Sequence, residues 1–252
     1  IPVYQLLSEK KGVYRPRLGS ERMIYSEMVG RENELDTLEQ QLLKAVNKQG
    51  SIINIIGEAG IGKSRLIAEF KKREIVKGLT VLEGRSISIG RNLSFHPIID
   101  LIKHWAKIRT DDSPVVAYEK LETAINRICH VRIAEIFPFL AVMMGMSLRD
   151  EHAGALRDME GEGLQKLIVR SIGQLLKEST STPPLVIIME DLHWADTSSI
   201  EILEYLFRLA QTERIVFVNV FRPGHEGTGE RIIQKIREQF IECNIEITLL
   251  PL

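Results

Sequence analysis

A chain of 252 residues with 44% hydrophobic content is long enough to bury a three-layer core, and one large domain is expected rather than two small ones. Its 33 Lys plus Arg stand against 34 Asp plus Glu, and a net charge of -1 disfavours nucleic acid as a partner. Cys129 and Cys243 have no metal-ligand spacing, and no apolar stretch approaches the roughly 20 residues of a membrane helix; a soluble, cytoplasmic protein without a signal peptide is expected.

Residues Ile1 to Tyr25 lack a sustained period and read as a linker with one short strand, Pro2 to Leu7, ahead of a domain spanning 26–252. Leu35, Leu38, Leu42 and Val46 then predict a helix over Asn33 to Val46, with Gly50 ending the segment. Ser51 to Ile56 reads as a buried strand. Arg65 to Val76 follows as a helix with Leu66, Ile67, Phe70 and Ile75 inward, and Gly78 stops it after the basic residues Lys71, Lys72, Arg73 and Lys77. Leu79 to Gly84 is a second strand.

A long helical stretch, Arg85 to Thr182, comes next. Pro97 opens a helix with Ile98, Leu101, Ile102 and Trp105 inward, Pro114 and Pro138 punctuate the following pieces, and Leu164, Leu167, Ile168, Ile172 and Leu175 mark the last helix. Five apolar residues, Leu185 to Met189, lie between two prolines and the acids Glu190 and Asp191, as in a parallel strand buried on both faces. Ser198 with Glu201 predicts a capping box for a helix carrying Ile202, Leu203, Leu206 and Leu209. A strand over Ile215 to Val220, a helix from about Gly229 to Phe240 and a strand over Ile245 to Leu250 bring the sheet to five elements. There is no internal repeat, heptad run or low-complexity tract.

The chemistry concentrates in Gly57-Glu58-Ala59-Gly60-Ile61-Gly62-Lys63-Ser64, which fits G-x-x-x-x-G-K-[ST] between a predicted strand and a predicted helix. Glycines let the backbone turn its N–H groups toward one anionic centre, and the helix start adds its own free N–H groups. Lys63 is suited to the β- and γ-phosphates, and the Ser64 hydroxyl to the coordination shell of Mg²⁺. Glu190 and Asp191 emerge at a strand's carboxyl end, where open α/β sheets place ligands. One carboxylate can hold Mg²⁺ while the other orients water; Glu190 suits the metal and Asp191 the water, but spacing leaves the assignment open.

Arg222, just past a strand, is placed either to bind γ-phosphate oxygens bidentately or to form a surface salt bridge. His193 stands two residues past Asp191, and a structural role outweighs a sensing one. His104, His130 and His152 lack metal-ligand spacing. Met143, Met144 and Met146, beside Phe137 and Phe139, read as gap-filling core rather than as a soft ligand site.

Met28-Val29-Gly30-Arg31-Glu32-Asn33-Glu34-Leu35, the loop Gly57 to Arg65, Glu190 to Asp196 and Phe221-Arg222-Pro223 together resemble the signatures of STAND-type, AAA-like P-loop ATPases of large signalling regulators. The resemblance covers about Met28 to Leu252. It implies an α/β fold, a three-layer P-loop NTPase sheet of five mainly parallel strands with a long helical insert. One extra strand would lie between the phosphate-loop strand and the acidic strand, and the last strand at the opposite edge.

It further implies nucleotide contacts from Val29, Gly30 and Arg31 beside the adenine, and from Gly57, Ala59, Gly60, Ile61, Gly62, Lys63, Ser64 and Arg65 around the phosphates. Metal contacts would come from Ser64, Glu190 and Asp191; Lys63, Glu190, Asp191 and Arg222 would form the catalytic set, with Arg222 sensing the γ-phosphate. The family commonly continues into a helical or winged-helix lid, and the chain stops at Leu249 to Leu252, where that lid would begin. Glu190 also stands where related ATPases frequently carry aspartate. Ile1 to Leu7 is similar to the closing strand of class III nucleotidyl cyclase domains, which implies a cyclase upstream and helical repeats downstream.

The expected function is therefore binding of ATP or ADP with Mg²⁺ and slow ATP hydrolysis, acting as a conformational switch in signal transduction, transcriptional or cyclase regulation. Rival readings are a non-hydrolysing nucleotide-binding scaffold, a DNA-dependent AAA+ ATPase, disfavoured by the balanced charge, and, as the weakest, a small-molecule kinase.

Overall fold

The computed structural model describes residues 28–88, 94–156, 161–180, 183–224 and 228–252. The expected linker and its strand over Pro2 to Leu7 lie outside them. Five strands form one sheet: β1 (Ser51–Ile56), β2 (Thr80–Arg85), β3 (Leu185–Glu190), β4 (Ile215–Phe221) and β5 (Asn244–Thr248). Their order is β2-β3-β4-β1-β5 and every pairing is parallel. The expected α/β architecture is thus present, with β4 between the phosphate-loop strand and the acidic strand and β5 at the far edge.

The near-continuous apolar runs of β1, β3 and β4 follow from burial on both faces, since successive side chains point to opposite sides. Ile53, Ile55, Val186, Ile188, Val216 and Val218 face α1 (Glu32–Val46), α2 (Lys63–Lys72) and α3 (Glu74–Lys77), which supply Leu38, Leu42, Leu66, Ile67, Phe70 and Val76. The opposite face presents Ile52, Ile187, Met189, Phe217 and Phe221 to α4 (His96–Trp105), α9 (Thr197–Leu206) and α10 (Thr228–Gln239). Beyond them the helical insert packs α5 (Pro114–Cys129), α6 (Ile133–Met143) and α8 (Glu162–Ser179) into the same core, and the short α7 (Asp150–Ala153) sets His152 against the Phe137 ring of α6.

Register is fixed by more than apolar matching. Asn219 Nδ2 donates to Asn54 Oδ1 at 3.0 Å and Asn54 Nδ2 donates to Asn244 Oδ1 at 2.9 Å, a buried amide ladder across β4, β1 and β5. A one-residue slip would bury these amides without partners.

Several element boundaries differ from expectation. The helix predicted over Arg65 to Val76 is interrupted at Arg73, whose ψ of 140° is extended, so Val76 rather than Ile75 becomes the fully buried residue of the second piece. In α1 the inward residue near the end is Ala45, and Val46 is 45% exposed because it lies one position off the stripe. Pro138 does not punctuate; it sits inside α6, whose surroundings are apolar enough to hold the helix through the lost backbone bond. The cap of α9 is Asp196 rather than a Ser198–Glu201 box: its carboxylate accepts from Ser199 N–H at 2.9 Å. Met143 is core, whereas Met144 and Met146 are only partly buried.

Candidate functional site

Because all the strands run the same way, the residues that follow them meet along one rim of the sheet. Ile56 pairs with Phe221, which puts Gly57 next to Arg222, and Arg85 pairs with Glu190. Spatial order, not sequence distance, assembles the site.

In the loop after β1, Gly60 and Gly62 adopt φ of 79° and 104°, values that favour glycine. A Cβ on either would meet nothing within 4 Å among the described residues, so the described chain leaves the space beside them open. Gly57 differs, since a Cβ there would lie 2.8 Å from Ile61 Cγ2 and 3.2 Å from Leu249 Cβ, and the loop closes on itself at that point. Among the described residues no side chain caps the start of α2, leaving its first-turn amides for an anion.

Lys63 is buried, and its Nζ donates to Gly57 O at 2.6 Å and Glu58 O at 2.7 Å, folding the ammonium back over the loop. Burial, followed by the nearby Arg222 charge, lowers its pKa, while Asp191 and Glu58 act in the other direction. Ser64, exposed on the next position, donates its hydroxyl to Glu190 Oε2 at 3.4 Å. Glu190 itself ends β3 and is 8% exposed; burial pushes its carboxyl above the ordinary glutamate range, with Arg85 as the main opposing charge. A hydroxyl beside a buried carboxylate is a pair of hard oxygen donors, so these residues fit Mg²⁺.

Asp191 has φ 56° and ψ 35°, a left-handed conformation that costs a non-glycine residue free energy and turns the chain sharply off β3. Its Oδ2 accepts from Arg85 Nε at 3.1 Å and Nη2 at 2.9 Å, and Arg222 Nη2 lies 3.8 Å from Oδ1. The carboxylate therefore sits between two guanidinium groups. Past it, His193 is buried beneath α10, where a Cβ on Gly229 would lie 3.3 Å from His193 Cα. Asp196 ties the end of this loop to the insert by also accepting from Phe95 N–H at 3.3 Å.

On the other side of the loop, Gly30 (φ 71°) lies against Leu252, and Arg31 donates to Leu250 O and to Glu34 Oε1. Leu249 N–H donates to Ile56 O at 2.8 Å, so the tail runs beside the phosphate loop. Val29, Leu250 and Leu252 remain exposed there.

The structure thus brings Lys63, Ser64, Glu190, Asp191 and Arg222 together, with Val29, Gly30 and Arg31 beside the tail. Ala59 is exposed on the loop, Ile61 packs on Gly57, and Arg65 lies 3.1 Å from Glu69 on its own helix. Arg85 is the residue that sequence reasoning missed. No motif marks it, and its position matters only once β2 is known to adjoin β3.

Residues 27–218 match the AAA ATPase domain family. The chain belongs to that family. Nucleotide binding and hydrolysis, usually with Mg²⁺, follow as the general class of activity of an AAA ATPase domain. This domain is also similar to an uncharacterized protein of Rhizobium meliloti (strain 1021), 27% identical over 229 residues, which cover 88% of the chain and 21% of that relative. It therefore spans about a fifth of the length of the curated relative it matches. No helix among the described residues is long and apolar enough to cross a membrane.

Proposed function

We propose that this AAA ATPase domain binds ATP with Mg²⁺, hydrolyses it slowly and acts as a conformational switch within a larger STAND-type regulator. The observation that carries the reading is the convergence of Lys63, Ser64, Glu190, Asp191 and Arg222 on one rim, with Lys63 held, among the described residues, by backbone carbonyls of its own loop. Those carbonyls are acceptors that phosphate oxygens can replace at little cost. Mg²⁺, when bound through Ser64 and Glu190, would neutralise phosphate charge.

Asp191 is then left to orient water, and Arg222 to exchange its carboxylate for a γ-phosphate oxygen. That exchange makes the state of the rim depend on whether the γ-phosphate is present, which is the physical content of a switch. Val29, Gly30 and Arg31 would receive the adenine beside the exposed apolar tail. A cyclase upstream and helical repeats downstream are proposed as the attached domains, on the resemblance alone.

Lys63→Ala removes a cation with two charge-assisted partners, and calorimetry should show ATP affinity falling by about a hundredfold. Unchanged affinity would remove the phosphate-cradle assignment. Glu190→Gln and Asp191→Asn should retain binding while phosphate release stops; if the native chain binds ATP and releases no phosphate, the scaffold reading replaces the switch.

A further inference from the structure

Away from the rim, the helical insert contains a second cleft of about 550 Å³, within the size range of small-ligand sites. Its walls are the chain segments that leave α4 and α6, facing each other across the start of α5. Both segments begin with the same backbone device. Lys107 (φ 55°) and Gly145 (φ 72°) are left-handed. Ile108 N–H donates to Lys103 O and Lys107 N–H to His104 O, while Met146 N–H donates to Ala141 O and Gly145 N–H to Val142 O. This paired bonding closes a helix end and satisfies carbonyls that would otherwise repel an anion. It also sends Ile108 and Met146 to the cleft lining, with Met144 and the buried ring of Tyr118.

The charge in this lining is one-sided. Its acid, Asp112, is already engaged by Lys120 at 2.6 Å and by the Arg109 N–H at 2.7 Å. Lys103 lies in the same lining, at the end of α4. The Arg149 guanidinium lies 4.4 Å from the Tyr118 ring centre and 3.7 Å from Glu119. Three cations, Lys103, Arg109 and Arg149, therefore border an apolar hollow whose methionines can adjust to irregular hydrocarbon, and of these Arg109 is paired with Asp111 at 3.0 Å.

We propose that this cleft binds a small anionic amphiphile, a carboxylate on an apolar body, with Lys103 and Arg149 at the carboxylate and Ile108, Tyr118, Met144 and Met146 along the body. Its position also suggests what binding does, a consequence that rests on the switch reading. Lys103 belongs to α4, and the same helix seals the outer edge of β2. Glu83 N–H donates to His104 Nδ1 at 2.8 Å, Arg85 N–H donates to Asp100 Oδ2 at 3.2 Å, and His96 Nδ1 lies 3.2 Å from Arg85 O. A Cβ on Gly84 would lie 2.5 Å from Pro97 O, so strand and helix are in close contact. One rigid helix thus joins the cleft to the arginine that holds Asp191.

The test is fluorescence titration of the nucleotide-free chain with 8-anilinonaphthalene-1-sulfonate, followed by displacement with decanoate or with decyltrimethylammonium. Saturable one-to-one binding is expected, displaced by decanoate at least about tenfold more tightly than by the cation. Lys103→Gln with Arg149→Gln should weaken decanoate about tenfold and leave ATP affinity unchanged. Val115→Asp, at a lip position 59% exposed and therefore safe for folding, should weaken it as well. Equal displacement by anion and cation, or native decanoate affinity in both variants, would overturn the proposal. Lys63→Ala should lose ATP yet keep decanoate, so failure of the nucleotide reading shows separately. Saturating decanoate should alter phosphate release by the native chain and not by the double variant; an unaltered rate in the native chain would overturn the coupling.

Discussion

The rim of the sheet and the helical insert are built on opposite principles. At the rim, function is carried by backbone conformation and by residues one step past a strand end: glycines at positive φ, an uncapped helix start, an aspartate held left-handed between two arginines. In the insert, shape is carried by packing of whole side chains, such as Phe137, which is fully buried with its ring centre 4.9 Å from Tyr118 and 4.7 Å from His152. The rim accordingly spends conformational free energy on readiness to bind, whereas the insert supplies burial. A substitution should therefore damage ligand chemistry in one region and stability in the other.

The largest expected effect tests the insert. Phe137→Ala should cost about 3–5 kcal/mol by chemical denaturation, and because the ring supports Tyr118 it should also weaken the cleft. If stability is unchanged, the insert is not packed as described and the contrast fails. A smaller effect sharpens the rim. Arg85→Ala should lower phosphate release about tenfold, roughly 1.4 kcal/mol, while ATP affinity stays near native, because Arg85 acts through Asp191. Arg85→Lys, which keeps the charge but loses the fork, should recover only part of the rate. Loss of affinity equal to the loss of rate would make Arg85 a binding residue instead.

The smallest effect is electrostatic. Glu190 has a raised pKa in the folded state, so over the interval above the ordinary glutamate value the folded chain holds a proton that the unfolded chain has released. Stability therefore falls as pH rises through that interval. Glu190→Gln, with no charge to bury, should be the more stable chain at neutral pH without nucleotide, and the gap should close in acid. A gap that widens in acid would reverse the sign and place a favourable partner on Glu190.

Much of this architecture was legible in the chain because its signals are local. The glycine-lysine-serine loop, the apolar runs of β1, β3 and β4 and the acids after Met189 each declare themselves within a few residues. Helix ends were less legible, since the choice between Ser198 and Asp196 as a cap, or between a break and a continuation at Pro138, depends on what packs nearby. The cleft was less legible still: Met144 leaves the buried side of α6 at its C-cap, and Met146 follows the left-handed turn at Gly145.

By itself, then, the sequence determined the local grammar of this AAA ATPase domain: which segments are buried strands, where a phosphate loop lies and which carboxylates follow a strand. Only the tertiary structure decided that β2 adjoins β3 and so delivers Arg85 to Asp191, and that one helix seals the β2 edge while bordering a second cleft. The reason is physical: conformation and periodicity are set by neighbours in the chain, whereas strand order and the meeting of distant charges are set by which faces bury one another.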